Sequence, residues 1–575
     1  MRLVINIFLM LQIYSICLYS QIIDTVKLYY NNGKLKKTGI LQDGQKAGVW
    51  KYFSEQGVIL QEIEYKNDKI FGDVKSFFDD GKIKSQGKIF WGNREGEYKE
   101  WFENGNLSIL GYFKKNKPDS IWTFWHANGK KHRTELFFDE DSSLIIDVWD
   151  WQGNQICNSG NGMYISYLID GTVIEEGFLK EGLKDSVWKE NYMTGVLKTS
   201  GNYFKNKKSG KWLEFYPTGQ LKIVFNYENG EYKQYSVNGK LLAEGNMLKG
   251  KRQGLWTFYF ENGKVYWQGA FIEGLKDGAH SRFFENDTLE SIVNFKNDKK
   301  NGYACWYLEN GQKYQEGFFK DDEQDSLWTY YQANGKKGNE GMYQNGKMFG
   351  KWIWWYEDGN IWKVGYYNEG KRNGEWTVFF ENGKVYYSGE YKDNKEQGIW
   401  KRYFNSGQLE TEGCFENGKM TGTWTTYNQK GTKIQILNYK EDQYDGVCQY
   451  FNDNGKPNLT ITYSMGKKTG YYAEYDDIGN LIVVGAYKEG VKDGKWLYQT
   501  STGTRLREEF YENGLPTGTW KSWYINGAIE AEKTYKNGVL EGIYTKYNER
   551  GKIIFQGRYK NNRLVERLDK PQTNN

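Results

Sequence analysis

The sequence predicts an all-β fold: an elongated antiparallel meander of about 23 tandem β-hairpin repeats, twisted or superhelical as a repeat sheet. Three observations carry this reading. Glycines recur every 24 residues, a turn signal recurs at a fixed offset from them, and the residues between alternate apolar and polar with period two.

Gly48, Gly72 and Gly96 stand 24 residues apart, and from Gly254 to Gly542 the same grid runs through thirteen positions, broken only by Ser326. A second marker lies nine residues on, at Gly33, Gly57, Gly81 and so on to Gly551, with Asp287 as its one departure among 23 positions. Two spacings are shortened, from Gly153 to Gly162 and from Gly219 to Gly230, which keeps the repeat count while trimming a loop. A chain of 575 residues would otherwise suggest three or four globular domains. The expected layout is a signal peptide at 1–20, the repeat array at 21–565 and a polar tail at 566–575.

The unit from Gly374 reads GEWTVFFENGKVYYSGEYKDNKEQ. Aromatic and β-branched residues on both sides of Asn382-Gly383 predict a hairpin closed by a type I′ turn, because Asn-Gly accepts positive φ at both central positions. Asn precedes the turn position in eleven units. A two-residue loop pairs Glu381 with Lys384, Phe379 with Tyr386, Trp376 with Gly389 and Gly374 with Tyr391, so that each strand glycine faces a ring able to cover its bare backbone.

Alternation then sorts the side chains onto two faces. Trp376, Val378, Phe380, Val385, Tyr387 and Tyr391 form an apolar face; Glu375, Thr377, Phe379, Glu381, Lys384, Tyr386, Ser388 and Glu390 form a polar one. The polar face keeps an aromatic five residues after the marker glycine in nearly every unit, which makes a stripe. A connection of roughly six residues, such as Lys392 to Gln397, joins successive hairpins. About 46 strands follow, reaching on the order of 220 Å if laid straight at ~4.8 Å spacing. Marker residues are lost at Leu144 to Asp150 and at Ala279-His280, where local irregularity is expected.

Composition narrows the function. Aromatics make up 18% of residues against a mean hydropathy of −0.82, so large rings sit in a dense polar background. With only five prolines the chain lacks proline-rich disorder. A net charge of +5 spread over 78 basic and 73 acidic residues is too balanced for a nucleic-acid footprint. Arg2, the apolar run from Leu3 to Leu11 and Ser20 before Gln21 read as a signal peptide cleaved near Ser20. Gln12, Tyr14 and Ser15 interrupt a segment already short for a membrane span, and Ile16 before Cys17 is too large for a lipidation site.

The pattern G-x-W-x-x-Y/F-x-x-N-G-K, followed by a glycine and an aromatic, resembles the MORN-repeat variant. Gly350, Trp352, Trp355, Asp358, Gly359, Gly365 and Tyr367 show it in one unit; Gly518, Trp520, Trp523, Asn526 and Gly527 show it in another. The resemblance covers roughly residues 24 to 565. It implies elongated antiparallel hairpins and a role in protein or membrane association; some members are labelled as toxin–antitoxin system antitoxins, a cytoplasmic role at odds with export.

Chemistry-bearing residues are sparse. His126, His132 and His280 are the only histidines, and His126 and His132 flank the Asn128-Gly129 turn, read as a surface hairpin pair. Loop carboxylates such as Asp393, Glu396, Asp442 and Asp445 read as solubilising surface, and no unique departure marks a cleft for paired carboxylates. Calcium-loop and dinucleotide spacings are absent. Cys157, Cys305, Cys414 and Cys448 have no disulfide-framework spacing. No catalytic, metal or cofactor site is expected.

The expected function is a secreted or envelope-associated, non-enzymatic scaffold that binds protein through an aromatic-rich β-sheet surface. The candidate contact residues are Tyr259, Tyr331, Trp355, Phe379, Tyr386, Tyr403 and Tyr427 on the stripe. The alternatives are carbohydrate or cell-wall binding, by ring stacking on sugars, and membrane-surface association, which the absence of a basic cluster disfavours.

Overall fold

The computed structural model describes residues 22–139 and 142–569. The described residues hold 49 strands and no helix, in an antiparallel meander that does not close on itself. The chain divides into two units at Gly274 and Leu275. The first carries the strands from Ile23–Tyr29 to Val265–Ile272, the second those from Leu275–Phe283 to Arg563–Arg567. Within each unit the strong contacts run between strands adjacent in sequence, as expected of a solenoid. The expected signal peptide at 1–20 lies outside the described residues, as does the tail beyond 569.

The two ends of each hairpin differ from expectation in an instructive way. At Asn382-Gly383 only Gly383 has positive φ (80°), the Gly383 N–H donates to the Phe380 carbonyl at 2.9 Å, and the Phe380 N–H donates to the Lys384 carbonyl at 2.8 Å. This is a three-residue loop, a type I turn with the glycine in the left-handed position of a G1 bulge, not a type I′ turn. The extra residue slips the register next to the loop. Phe379 pairs with Val385 rather than Tyr386, and Glu381 lies in the loop that Lys384 closes opposite Phe380, whereas Trp376–Gly389 and Gly374–Tyr391 pair as expected.

The type I′ turn is at the other end. Strands Val385–Lys392 and Lys395–Tyr403 are joined by Asp393 and Asn394 alone, with φ of 50° and 70°. The connection is therefore two residues long, not six. Asn394 also serves the preceding repeat: its Oδ1 accepts from the Arg372 N–H at 2.8 Å and its N–H donates to the Arg372 carbonyl at 3.0 Å. The N-G-K loop has a matching tie to the following repeat, where Asn382 Nδ2 donates to the Asn405 carbonyl at 3.1 Å and Lys384 Nζ to the Ser406 carbonyl at 2.6 Å. Asn334 and Lys336 bond the Glu357 and Asp358 carbonyls in the same way. The motif thus encodes a loop and a staple to the next loop.

The expected irregularity near Leu144–Asp150 is present: strand Ser142–Trp149 pairs with register shifts on both sides and meets a strand of only four residues, Gln155–Asn158. At Ala279-His280 the expectation fails. The pairing from Gly278–Phe295 to Arg282–Ser291 is unbroken, because His280 occupies the tryptophan position and is buried, with its ring 4.9 Å from that of Phe295.

Candidate aromatic docking surface

The marker glycine and the tryptophan two residues later form one device. Gly365 pairs with Trp376 and Tyr367 with Arg372, so Tyr366 stands opposite three residues, and Gly374 takes up the bulge at φ 99°. The bulge leaves the Tyr366 carbonyl without a ladder partner, and the Trp376 indole Nε1–H donates to it at 3.2 Å. The same bond, to the carbonyl ten residues back, is made by Trp50, Trp212, Trp256, Trp328, Trp352, Trp400 and Trp496 at 2.9–3.2 Å.

Each indole lies flat on the glycine eleven residues before it. A Cβ built on Gly365 would stand 2.3 Å from Trp376, and one on Gly389 would stand 2.2 Å from Trp400. The ring that covers Gly389 is therefore Trp400 of the next repeat; Trp376, its partner in register, covers Gly365. This geometry buries Trp352 to 2% exposure and Trp376 to 6% by local packing against the sheet's own backbone.

Two further layers complete the packing. Rings from successive strands touch edge to face: Trp376–Tyr391 at 5.6 Å, Tyr391–Trp400 at 5.0 Å, Trp400–Phe415 at 6.1 Å and Phe415–Trp424 at 5.0 Å. In many repeats a lysine or arginine four residues before the tryptophan lies over its ring. Lys46, Lys184, Lys208, Arg252 and Lys492 stand 4.0–4.9 Å from Trp50, Trp188, Trp212, Trp256 and Trp496. Burial, with Arg507 nearby, holds the Lys492 ammonium below its ordinary range, while Glu509 and Glu474 act against that shift.

This face also carries hollows. In the second unit a groove of about 570 Å³ is lined by Tyr391, Trp400, Phe415, Trp424 and Tyr439 with Glu396, Thr411, Thr426 and Gln435. A neighbouring hollow of about 670 Å³ is lined by Tyr356, Trp362, Tyr367 and Trp376, with Lys363 and Arg372 within it. The first unit has one of about 690 Å³ at the shortened repeat, between Trp212, Phe225, Tyr232 and Met247. Burial pushes Tyr391 up to about 12, with the Glu396 carboxylate adding to the shift and Arg372 opposing it.

By strand alternation the stripe residues Tyr259, Tyr331, Trp355, Phe379, Tyr403 and Tyr427 point away from the tryptophans. Tyr386, expected beside them, instead packs its ring 4.7 Å from Phe380 and 5.2 Å from Tyr387 and lines the hollow of about 670 Å³ with Trp376, because the extra loop residue displaces it from its expected pairing with Phe379. The stripe residues are half-buried; Tyr386, at 37%, is exposed. Several tyrosines tie back to the preceding repeat: Tyr259 donates to Glu244 at 2.5 Å, Tyr427 to Glu412 at 3.1 Å and Tyr331 to Glu316. Glu316 also accepts from Tyr303 at 2.6 Å and pairs with Lys313 at 2.7 Å. Burial alone would raise this carboxyl, but these donors hold it down to about 2. The stripe is thus a row of rings whose hydroxyls are partly spent within the fold, and the larger hollows lie on the tryptophan face. The groove of Trp400 and Trp424 had a sequence signal, since Arg402, Thr411, Thr426 and Gln435 interrupt a row filled by Tyr387 on one side and Tyr450 on the other.

His126 and His132 do come together, with ring centroids 4.5 Å apart, but they are buried rather than on the surface. The Nε2 atoms face the Trp149 and Ile165 carbonyls at 3.1 and 3.0 Å, which makes both rings donors there. Burial, with Arg133 and His126 beside it, lowers His132 to about 3. Among the described residues no three His, Cys, Asp or Glu side chains assemble as a metal-holding group, and Cys157, Cys305, Cys414 and Cys448 are free thiols.

Twelve segments match the MORN repeat variant: residues 25–43, 46–67, 94–115, 208–229, 252–266, 276–297, 300–321, 350–369, 372–393, 396–417, 516–537 and 540–561. No curated protein matches the chain. Among solved structures it is similar to a TcdB2–TccC3–Cdc42 crystal structure, at 10% identity and a TM-score of 0.12, covering 94% of this chain and 35% of that one. A Photorhabdus luminescens Tc holotoxin pore gives 10% identity and 0.12, with 94% and 34% coverage. TcdB2–TccC3 gives 10% and 0.13 with the same coverage. The chain spans about a third of the length of these structures, and similarity at this level bears on no functional argument.

Proposed function

This chain is a tandem array of MORN repeat variants, and from that premise we propose that it is an exported, non-enzymatic scaffold of the cell envelope or exterior that binds a protein partner through its aromatic-rich sheet surface. The observation that supports this reading is the tryptophan face of the second unit, where a continuous row of rings opens into a groove of about 570 Å³ rimmed by Thr, Gln, Glu and Arg side chains. Aromatic anchors beside a few polar groups are the composition of the energetic centres of protein interfaces. Ties between loops one repeat apart hold those rings at fixed spacing, so little side-chain entropy remains to be lost on binding. The stripe residues Tyr259, Tyr331, Trp355, Phe379, Tyr403 and Tyr427 offer a second aromatic surface on the other face, while Tyr386 adds its ring to the tryptophan face.

The test is affinity capture by the mature chain from an envelope extract, run beside a polysaccharide array. Saturable retention of a defined protein with a blank array is the expected result. Saturable glycan binding with no retained protein overturns the proposal.

A further inference from the structure

The array carries its own cations over many of its tryptophans, and at two successive ones, Trp400 and Trp424, it omits them. Lys184, Lys208, Arg252, Arg372 and Lys492 stand over Trp188, Trp212, Trp256, Trp376 and Trp496, each four residues on. At Trp400 and Trp424 that position is Glu396 and Met420. Trp328 and Trp352 likewise follow Gln324 and Met348, but there Tyr330 and Trp354 lie beside the indole at 6.0 and 5.8 Å and occupy the space. At Trp400 and Trp424 the corresponding residues are Arg402 and Thr426. Both fillers are thus missing in the same two repeats, and the groove of about 570 Å³ lies there.

The charges around this groove complete the argument. Glu396 is half-buried, pairs across the strand with Tyr391, and makes no ion pair among the described residues. The nearby cations are engaged elsewhere: Arg402 bonds Glu410 at 2.7 Å, Lys401 faces Glu412 at 3.9 Å, and Arg372 lies over the Tyr391 ring at 4.0 Å while bonding the Asn394 carbonyl at 3.4 Å. Lys401 and Arg402 also line the groove, but with their charges met by Glu412 and Glu410 the carboxylate of Glu396 is, among the described residues, the lining charge without an ion pair. It is set among aromatic rings, an arrangement that attracts an organic cation through ring quadrupoles and an anion. We propose that the groove formed by Tyr391, Trp400, Phe415, Trp424 and Glu396 receives an arginine or lysine side chain of the partner protein, in the place that the array's own lysine or arginine takes in other repeats.

This inference rests on the protein-binding reading, and its test separates the two. The full mature chain is titrated by calorimetry and tryptophan fluorescence with N-acetyl-arginine amide, N-acetyl-lysine amide, the neutral isostere N-acetyl-citrulline amide, and tetramethylammonium. Saturable binding of the arginine or lysine probe, at least tenfold tighter than citrulline, is expected. Glu396→Lys installs the array's usual cation and should abolish that binding with the circular dichroism unchanged. Thr426→Tyr, which supplies the missing ring, should do the same and covers the case in which Glu396→Lys fails to fold. Equal binding of citrulline, or binding unchanged in both variants, overturns the cation site. Tetramethylammonium binding tenfold tighter than either amide overturns its assignment to a protein side chain. Cation binding lost in the variants, with no protein retained by the wild-type chain from envelope extract, supports the site and refutes the protein-binding reading instead.

Discussion

Gly389 is where the account of the tryptophan device is most exposed to error. Its φ is ordinary, so alanine there carries no left-handed penalty, yet the added Cβ would stand 2.2 Å from Trp400 Cδ2, 2.3 Å from Cε2 and 2.5 Å from Cγ. Those are atoms of a rigid indole, which must retreat by more than an ångström to relieve the contact. Overpacking of this kind costs ~1–3 kcal/mol. Retreat also breaks the Trp400 Nε1–Glu390 carbonyl bond of 3.2 Å, leaving a bulge carbonyl unpaired at ~1 kcal/mol or more. Gly389→Ala is therefore expected to lower local stability by ~2–4 kcal/mol. The assay is native-state hydrogen exchange of strands Val385–Lys392 and Lys395–Tyr403, because a long array does not unfold as one two-state unit. Gly383→Ala is the control for backbone strain alone: at φ 80° with nothing within 4 Å, it should cost ~1–2 kcal/mol. The cycle with Trp400→Ala decides the matter, since removing the indole should make Gly389→Ala nearly neutral. Additive effects of the two substitutions would refute the reasoning.

Three further outcomes follow from the same geometry. Trp376→Ala removes a buried ring and its carbonyl bond and should cost ~3–5 kcal/mol locally, whereas Phe379→Ala, half-buried on the stripe, should cost less and weaken partner affinity more; equal destabilisation with unchanged affinity would dissolve the distinction between the faces. His132 is held neutral by burial at a value near 3, below the ordinary 6.5, so its folded form contributes stability above 6.5 that is lost as pH falls toward 3; exchange protection of strand Lys131–Asp139 should fall across that window and flatten in His132→Phe. Export should leave a mature N-terminus near Gln21, and N-terminal sequencing that finds Met1 on the native protein would contradict it.

The regular part of the fold was legible because one physical unit is repeated: glycine, tryptophan and N-G-K recur at offsets that only a hairpin array satisfies. The turn chemistry was misassigned for a local reason. Asn-Gly suits a two-residue type I′ loop, but it equally suits the end of a three-residue loop in which only the glycine is left-handed, and here Asn382 works through its side chain, its Oδ1 accepting from the Lys384 N–H at 3.0 Å. The type I′ turn at Asp393-Asn394 was hidden because its residue types vary from repeat to repeat, among them Lys205-Asn206, Asn297-Asp298, Glu369-Gly370 and Met465-Gly466. His280 looked like a break in the pattern yet fills the tryptophan position, since burial there asks for a flat ring.

The groove was missed for a different reason. Glu396 reads as a solvated loop residue until the structure shows that position four before the tryptophan packs on the indole. Thr426 reads as ordinary strand until its register with Thr411 and Gln435 places three polar side chains in one row. Each departure is small in the sequence, and only their coincidence in space opens the hollow.

The central claim is that the tryptophan face of the second unit is a recognition surface. Hydrogen-exchange footprinting of the full mature chain, alone and saturated with the protein it captures, tests it most directly. The account predicts new protection concentrated on the strands from Val385–Lys392 to Lys433–Lys440, which carry the groove, and loss of that protection in Thr426→Tyr. Protection confined to other strands or to the N-G-K loops, and unchanged in Thr426→Tyr, would contradict it.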